Sequence, residues 1–337
     1  MYRKILLNTL ICTICTMLMM TVASAEKASD FGMSSSAKES ANAQFTIKLS
    51  GDNMKDLYAY EVKFKFDPEQ LEIVKAESSF KGFSVSPIVK NDEITFAHTK
   101  IGNVKGEAGN IDISTITFKA KKPGTAKVNW TSMKIIDRDL KDQAFTLTES
   151  VDFTKLFSDI VGHWAKDDIM QMVNKSIVEG IDNERFAPNS NVTRAQFAAL
   201  IARALELKKG SGKNPFADVK AGSWYEDTVK SAYAAGIING VTSVAFAPDK
   251  SITREEMSVM LMRAKAYAAG VKVDSLKAGS LKGFKDEGEI SEWAKKSVGF
   301  ATASGLLKGR TASSFAPKKL TTRAESAVVI KRLLSGV

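Results

Sequence analysis

The stretch SIVEGIDNERFAPNSNVTRAQF, Ser176 to Phe197, recurs twice in this 337-residue chain. It returns as GIINGVTSVAFAPDKSITREEM from Gly236 to Met257 and as GLLKGRTASSFAPKKLTTRAES from Gly305 to Ser326. Working outward, each copy is preceded by a Trp (Trp164, Trp224, Trp293), and the distance from that Trp to the motif Arg (Arg194, Arg254, Arg323) is 30 residues every time. Gly180, Gly240 and Gly309, and the Phe-Ala-Pro that follows each, keep the same frame, while the stretches between copies vary freely. A fixed frame inside variable spacers marks each copy as one structural unit. Three weak sites on one chain would also reinforce one another through effective concentration.

The motif predicts its own local structure. Phe197, Leu200, Ile201, Ala204 and Leu205 fall on one helical face, as do Met257, Met260, Leu261 and Ala264, and Val329, Ile330, Leu333 and Leu334. Each helix opens with Thr-x-x-Glu/Gln: Thr193 to Gln196, Thr253 to Glu256 and Thr322 to Glu325. This is a capping box, in which the Thr hydroxyl and the acidic or amide side chain satisfy two end amides reciprocally. An earlier helix beginning near each Trp makes every copy a helix–loop–helix unit.

Three residue types in the frame need a further account. An Arg at the first helical position opposes the helix dipole. Either an anion approaches it, since a helix N-terminus with a guanidinium suits a carboxylate or phosphate, or the Arg pairs with a nearby Asp such as Asp159, Asp218 or Asp286. The Trp is either a core anchor or a ring exposed for stacking on a sugar. The Gly supplies a loop conformation closed to other residues and allows a ligand to approach the backbone.

Upstream, the chain reads differently. Arg3 and Lys4, an apolar run from Ile5 to Val22 and the small residues Ala23-Ser24-Ala25 form a secretory signal peptide over residues 1–25. Both cysteines, Cys12 and Cys15, lie inside it, so the mature chain must rely on packed cores. No other stretch is apolar and long enough to span a membrane. Residues 26–43 are small and polar and read as a flexible leader. From Gln44 to Asp152 the pattern has period two, as in Tyr60 to Phe66 and Ile113 to Phe118, which implies strands with one wet face. Turn signals at Ser50 to Asn53, Asp67-Pro68, Lys90 to Asp92, Gly106 to Asn110 and Pro123-Gly124 point to an antiparallel sandwich.

Charge divides the chain in the same place. Residues 26–150 carry 18 basic and 18 acidic side chains, whereas residues 151–337 carry 28 basic and 20 acidic. A basic, exported module points to an anionic extracellular partner and, because of export, away from nucleic acid.

Two family resemblances sharpen these readings. LYAYEVKFKFDPEQLEIVKA (Leu57 to Ala76) and ISTITFKAKKPGTAKVNW (Ile113 to Trp130) resemble cohesin domains, with a strand that ends in a Phe-Asp-Pro-x-x-Leu corner. The three copies, with FSDIVGHWA, FADVKAGSWY and FKDEGEISEWA at their heads, resemble surface-layer homology repeats. The resemblances imply a multidomain chain: an all-β cohesin-like jelly-roll sandwich over 44–152, then an all-α three-repeat spindle over 157–205, 216–264 and 284–334. They imply that grooves of the spindle hold an anionic, pyruvylated secondary cell-wall polymer containing N-acetylmannosamine. The polymer-binding set is then Arg194, Arg254, Arg323, Trp164, Trp224, Trp293, Gly180, Gly240, Gly309, Asp159, Asp218 and Asp286, in grooves of unequal quality. On that reading, replacing the three Arg by Ala leaves the helices intact. The cohesin resemblance implies capture of dockerin-bearing proteins at the surface of a Gram-positive-type bacterium. An adhesin or glycan-binding module, an S-layer subunit and, third, a wall-bound hydrolase are the alternatives for the displayed domain.

Chemistry is scarce. His98 and His163 are the two histidines, and neither sits near a nucleophile signature. No cofactor or metal site is expected. Asp137 to Asp142 lacks the Gly and terminal Glu of an EF-hand loop and reads as a hairpin turn. The chain reads as a non-enzyme. With no apolar tail or sorting-type motif at its C-terminal end, attachment to the cell is expected to be non-covalent.

Overall fold

The computed structural model describes residues 30–210 and 214–335. The expected signal peptide lies outside them. Eleven described strands build the N-terminal half: β1 (Asp30–Ser35), β2 (Glu39–Ser40), β3 (Gln44–Leu57), β4 (Ala59–Phe66), β5 (Leu71–Ser78), β6 (Phe83–Lys90), β7 (Glu93–Thr99), β8 (Glu107–Ala120), β9 (Gly124–Ile136), β10 (Asp142–Thr146) and β11 (Ser150–Lys155). They form two sheets, β1-β3-β8-β5 and β2-β11-β9-β4-β7-β6, with β10 paired to β9. Alternation along β3 and β4 turns Phe45, Ile47, Leu49, Val62 and Phe64 inward, where they meet Phe118, Trp130 and Phe153 in one core.

Three expectations for this half are corrected. Within the expected leader over 26–43, residues 30–35 are not a flexible tail: they pair antiparallel with β3, and Phe31 packs edge-on against Trp130 and Phe145. One inward Phe on an edge strand is enough to dock a segment whose remaining residues are small and polar. Neither Ser50 to Asn53 nor Gly106 to Asn110 is a turn. Ser50 to Asn53 lies within β3 and Glu107 to Asn110 within β8, where bulges shift the register around Gly51 and Met54 and Asn53 takes a positive φ of 56°. Asp137 to Lys141 is the β9–β10 hairpin turn, closed by the Asp137 amide donating to the Lys141 carbonyl (3.0 Å).

The C-terminal half has its own core. The helices are α1 (Lys166–Asn174), α2 (Arg194–Ala204), α3 (Glu226–Ala234), α4 (Arg254–Ala268), α5 (Glu292–Ala303) and α6 (Arg323–Ser335). All three capping boxes form, with each Thr accepting from, and each Thr amide donating to, the residue three positions on. The second helix of each repeat packs on the first helix of the next: α2 on α3, α4 on α5, and α6 back on α1. At the centre the Val192 amide donates to Thr321, Thr321 to Ile252 and Ile252 to Val192, at 3.0, 3.0 and 2.9 Å, closing a ring of three backbone bonds.

That ring contains one mismatch. Thr321 stands where the other copies place Val192 and Ile252; it is fully buried, and its Oγ1 makes no hydrogen bond. Thr321→Val keeps the shape and the ring and removes an unpaired hydroxyl. It is expected to stabilise the protein by about 1 kcal/mol, read as a rise of about 2–4 °C in the calorimetric melting temperature.

The two halves meet without a spacer. β11 runs directly into Leu156, whose amide donates to Ser40, and the buried Lys155 Nζ donates to the Asn183 carbonyl (2.9 Å) and to Glu184 Oε1 (3.0 Å). Asn174 at the end of α1 bonds Thr125 of the sandwich twice, and Lys166 of α1 bonds Glu39.

Candidate functional site

Each second helix begins by capping itself on its neighbour. The amides of Arg194 and Ala195 donate to Lys250 and Pro248, those of Arg254 and Glu255 to Lys319 and Pro317, and those of Arg323 and Ala324 to Ser190 and Pro188. With the third amide taken by the Thr hydroxyl, these helix ends have no vacant donors in their first turn. The backbone of the helix N-terminus therefore offers an anion no free amide, and any anion contact falls to the side chains.

The guanidinium does structural work as well. Arg194 donates from Nε to the Phe246 carbonyl (2.9 Å) and from Nη2 to Asn239 (3.2 Å); Arg254 does so to Phe315 (2.8 Å) and Lys308 (2.7 Å), and Arg323 to Phe186 (2.8 Å) and Glu179 (2.6 Å). Each also lies 4.5–4.9 Å from the centroid of that same Phe ring. Burial pushes all three guanidinium pKa values down, opposed by the charges of Glu256, Glu325 and Asp159 respectively. Nη1 of Arg194 is left out of these hydrogen bonds, with Glu256 Oε1 3.8 Å away.

The Asp residues belong to the scaffold. Asp159 accepts the amides of Phe186 and Ala187, Asp218 those of Phe246 and Ala247, and Asp286 those of Phe315 and Ala316, all at 2.7–2.9 Å. These bonds hold the Ala of each Phe-Ala-Pro at a positive φ of 57–59°. The three Asp do not line the grooves, which corrects their placement among the polymer contacts; none stands within ion-pair distance of a motif Arg, yet each acts on one by its charge, Asp218 on Arg194, Asp286 on Arg254 and Asp159 on Arg323. Asp286 is held below the usual carboxylate range, because its hydrogen bonds to Phe315, Ser314 and Ala316 outweigh the opposing effect of burial.

Gly180, Gly240 and Gly309 are needed for space, not for a left-handed backbone. A Cβ at any of them would collide with two carbonyls of its own tight loop and with the ring of Phe157, Phe216 or Phe284.

Three grooves result, and each draws on all three repeats. The first holds Gly180, Arg323 and Trp224; the second, Gly240, Arg194 and Trp293; the third, Gly309, Arg254 and Trp164. Their volumes are about 170, 410 and 340 Å³. The Trp rings are 67, 61 and 59% exposed at positions 164, 224 and 293, which rules out the core-anchor reading. Sequence reasoning missed a second cation in each groove: Arg203, Arg263 and Arg332. The signal was present, because each stands nine residues after its motif Arg.

Comparison with known proteins agrees with this architecture. Residues 34–150 match the cohesin domain, and residues 156–198, 215–258 and 283–327 match the S-layer homology domain. The chain thus carries one cohesin domain followed by three S-layer homology domains. It is 41% identical over 178 residues to exoglucanase XynX of Acetivibrio thermocellus, which covers 53% of this chain and 16% of that protein. It is 33% identical over 187 residues to the surface-layer 125 kDa protein of Lysinibacillus sphaericus, covering 54% of this chain and 15% of that protein. An amylopullulanase of Thermoanaerobacterium thermosulfurigenes is 40% identical over 190 residues, 56% of this chain and 10% of that protein. The chain therefore spans less than a fifth of each of these three relatives. Among solved structures, a cohesin module from a Clostridium perfringens family 33 glycoside hydrolase aligns over 37% of this chain and 95% of its own, with 15% identity and a TM-score of 0.33.

Proposed function

We propose that the repeats attach this protein non-covalently to an anionic, pyruvylated cell-wall polymer at the bacterial surface, and that the sandwich captures dockerin-bearing proteins there. The observation that carries the first half is the threefold recurrence of one constellation: an exposed Trp ring, two guanidiniums and a Gly loop, assembled from three different repeats. The ring offers a stacking face to a sugar, and the Arg pair offers hydrogen bonds to a carboxylate. This closed, cyclic arrangement of helices supports the spindle reading of the repeats, and the protein acts as an anchor, not an enzyme.

For the sandwich, burial favours a protein partner over a glycan. Tyr60 and Trp130 are buried in the core, and the Tyr58 hydroxyl is bonded to the Gly102 carbonyl, so none forms a flat sugar platform. The edge strand β6 instead exposes Phe83 (59%) and Ile88 (58%), with Val85 and Val89 beside them. Mature chain immobilised on beads is expected to retain, from the producing organism's secreted proteins, those carrying a duplicated calcium loop, and to release them to a chelator. Retention of none by folded protein overturns the dockerin half. Failure of the mature chain to sediment with wall sacculi overturns the anchoring half.

A further inference from the structure

We infer that the third groove is built for a phosphate-bearing segment of the polymer, whereas the first takes a singly charged sugar acid only. The inference rests on the grooves being polymer sites.

The residues flanking the groove Gly set the three grooves apart. They are Glu179 and Ile181 in the first groove, Asn239 and Val241 in the second, and Lys308 and Arg310 in the third. In all three the carbonyl preceding the Gly accepts a motif-Arg hydrogen bond, so the backbone is pinned alike and the side chains alone differ. The first groove sets Arg203 and Arg323 against Glu179. The second sets Arg194, Lys250 and Arg263 against Glu256. The third sets Arg254, Lys308, Arg310 and Arg332 against Glu325 alone.

Glu325 is, moreover, already engaged. Its carboxylate accepts from the Thr322 amide, from Nε and Nη2 of Arg310 (both 3.2 Å) and from Arg254 Nη1 (3.4 Å). Exposed Lys308 has no acidic partner among the described residues, and Arg332 uses Nη1 alone, on the Leu306 carbonyl (3.3 Å). A carboxylate is satisfied by one guanidinium fork. A phosphate carries up to two charges and more acceptor oxygens, and so answers a site with several unspent N–H groups. The Glu at the same place in the first groove repels such a group.

The test titrates the mature chain calorimetrically with N-acetylmannosamine 6-phosphate, with pyruvate-ketal N-acetylmannosamine and with the unmodified sugar. Lys308→Asn with Arg310→Val gives the third loop the flanks of the second. This pair is expected to weaken the sugar phosphate by about tenfold or more and the pyruvylated sugar by less than about threefold. Lys308→Asn alone, at an exposed side chain, should show the same direction should the pair disturb the loop. Glu179→Lys is expected to add a second phosphate site. Equal sugar-phosphate affinity in wild type and both third-groove variants overturns the inference. Failure of the pyruvylated sugar to bind wild type instead overturns the anchoring reading, and leaves the phosphate comparison to be read separately.

Discussion

Arg254→Ala is expected to lower the unfolding free energy by about 3 kcal/mol, a large effect for one side chain. The guanidinium is 3% exposed and bonds two carbonyls of the next repeat, with Glu325 beside it and the Phe315 ring beneath it. Truncation leaves those carbonyls without donors and Glu325 with one cation fewer. Calorimetry should show a melting temperature lower by about 6–12 °C. Arg254→Lys should recover only part of this, since an ammonium lacks the fork that spans both carbonyls. Arg323 is less buried and has no acidic partner of this kind, so its loss should cost less. An unchanged melting point for Arg254→Ala would show that the side chain is a ligand contact and nothing more. Because each Arg ties one repeat to the next, replacing all three is expected to destabilise the module and not to leave its helices undisturbed.

The Trp residues supply the cleaner dissection. With each ring about 60% exposed, Trp164→Ala, Trp224→Ala and Trp293→Ala together should leave melting within about 3 °C of wild type. Losing about 1–2 kcal/mol of contact per groove multiplies along the chain, and apparent affinity for wall sacculi should fall by at least about a hundredfold. Sedimentation across a protein dilution series reads this directly. Full retention of the folded triple variant would remove the aromatic ring from the site.

How much of this was legible in the sequence depends on range. Capping boxes are local, and all three formed as the Thr-x-x-Glu/Gln spacing predicts. Ser176, where the other copies have Gly236 and Gly305, adopts the same positive φ (56°), so that departure altered the local strain and not the geometry. What the sequence could not reveal is the cyclic swap. Arg194 and Phe246 are 52 residues apart, and Arg323 and Phe186 are 137 apart. No periodicity reports that one repeat's Arg serves the next repeat's loop. For the same reason the Asp residues were misplaced: their spacing from the Phe-Ala-Pro is fixed, but only three dimensions show the carboxylates facing amides. Residues 30–35 escaped notice because strand periodicity needs several large apolar residues, and this edge strand has Phe31 and Met33 only.

The junction at Lys155 has a mechanical meaning. A display domain on a loose tether would swivel, and any load on its captured partner would first straighten slack chain. Here β11 passes into the first repeat with no slack, and the Lys155–Glu184 bond and the Asn174–Thr125 pair clamp it from two sides. If the proposed function holds, shear on a bound partner would pass along a paired strand straight into the repeats. The angle at which such a partner would stand on the cell surface would then be set by the fold itself.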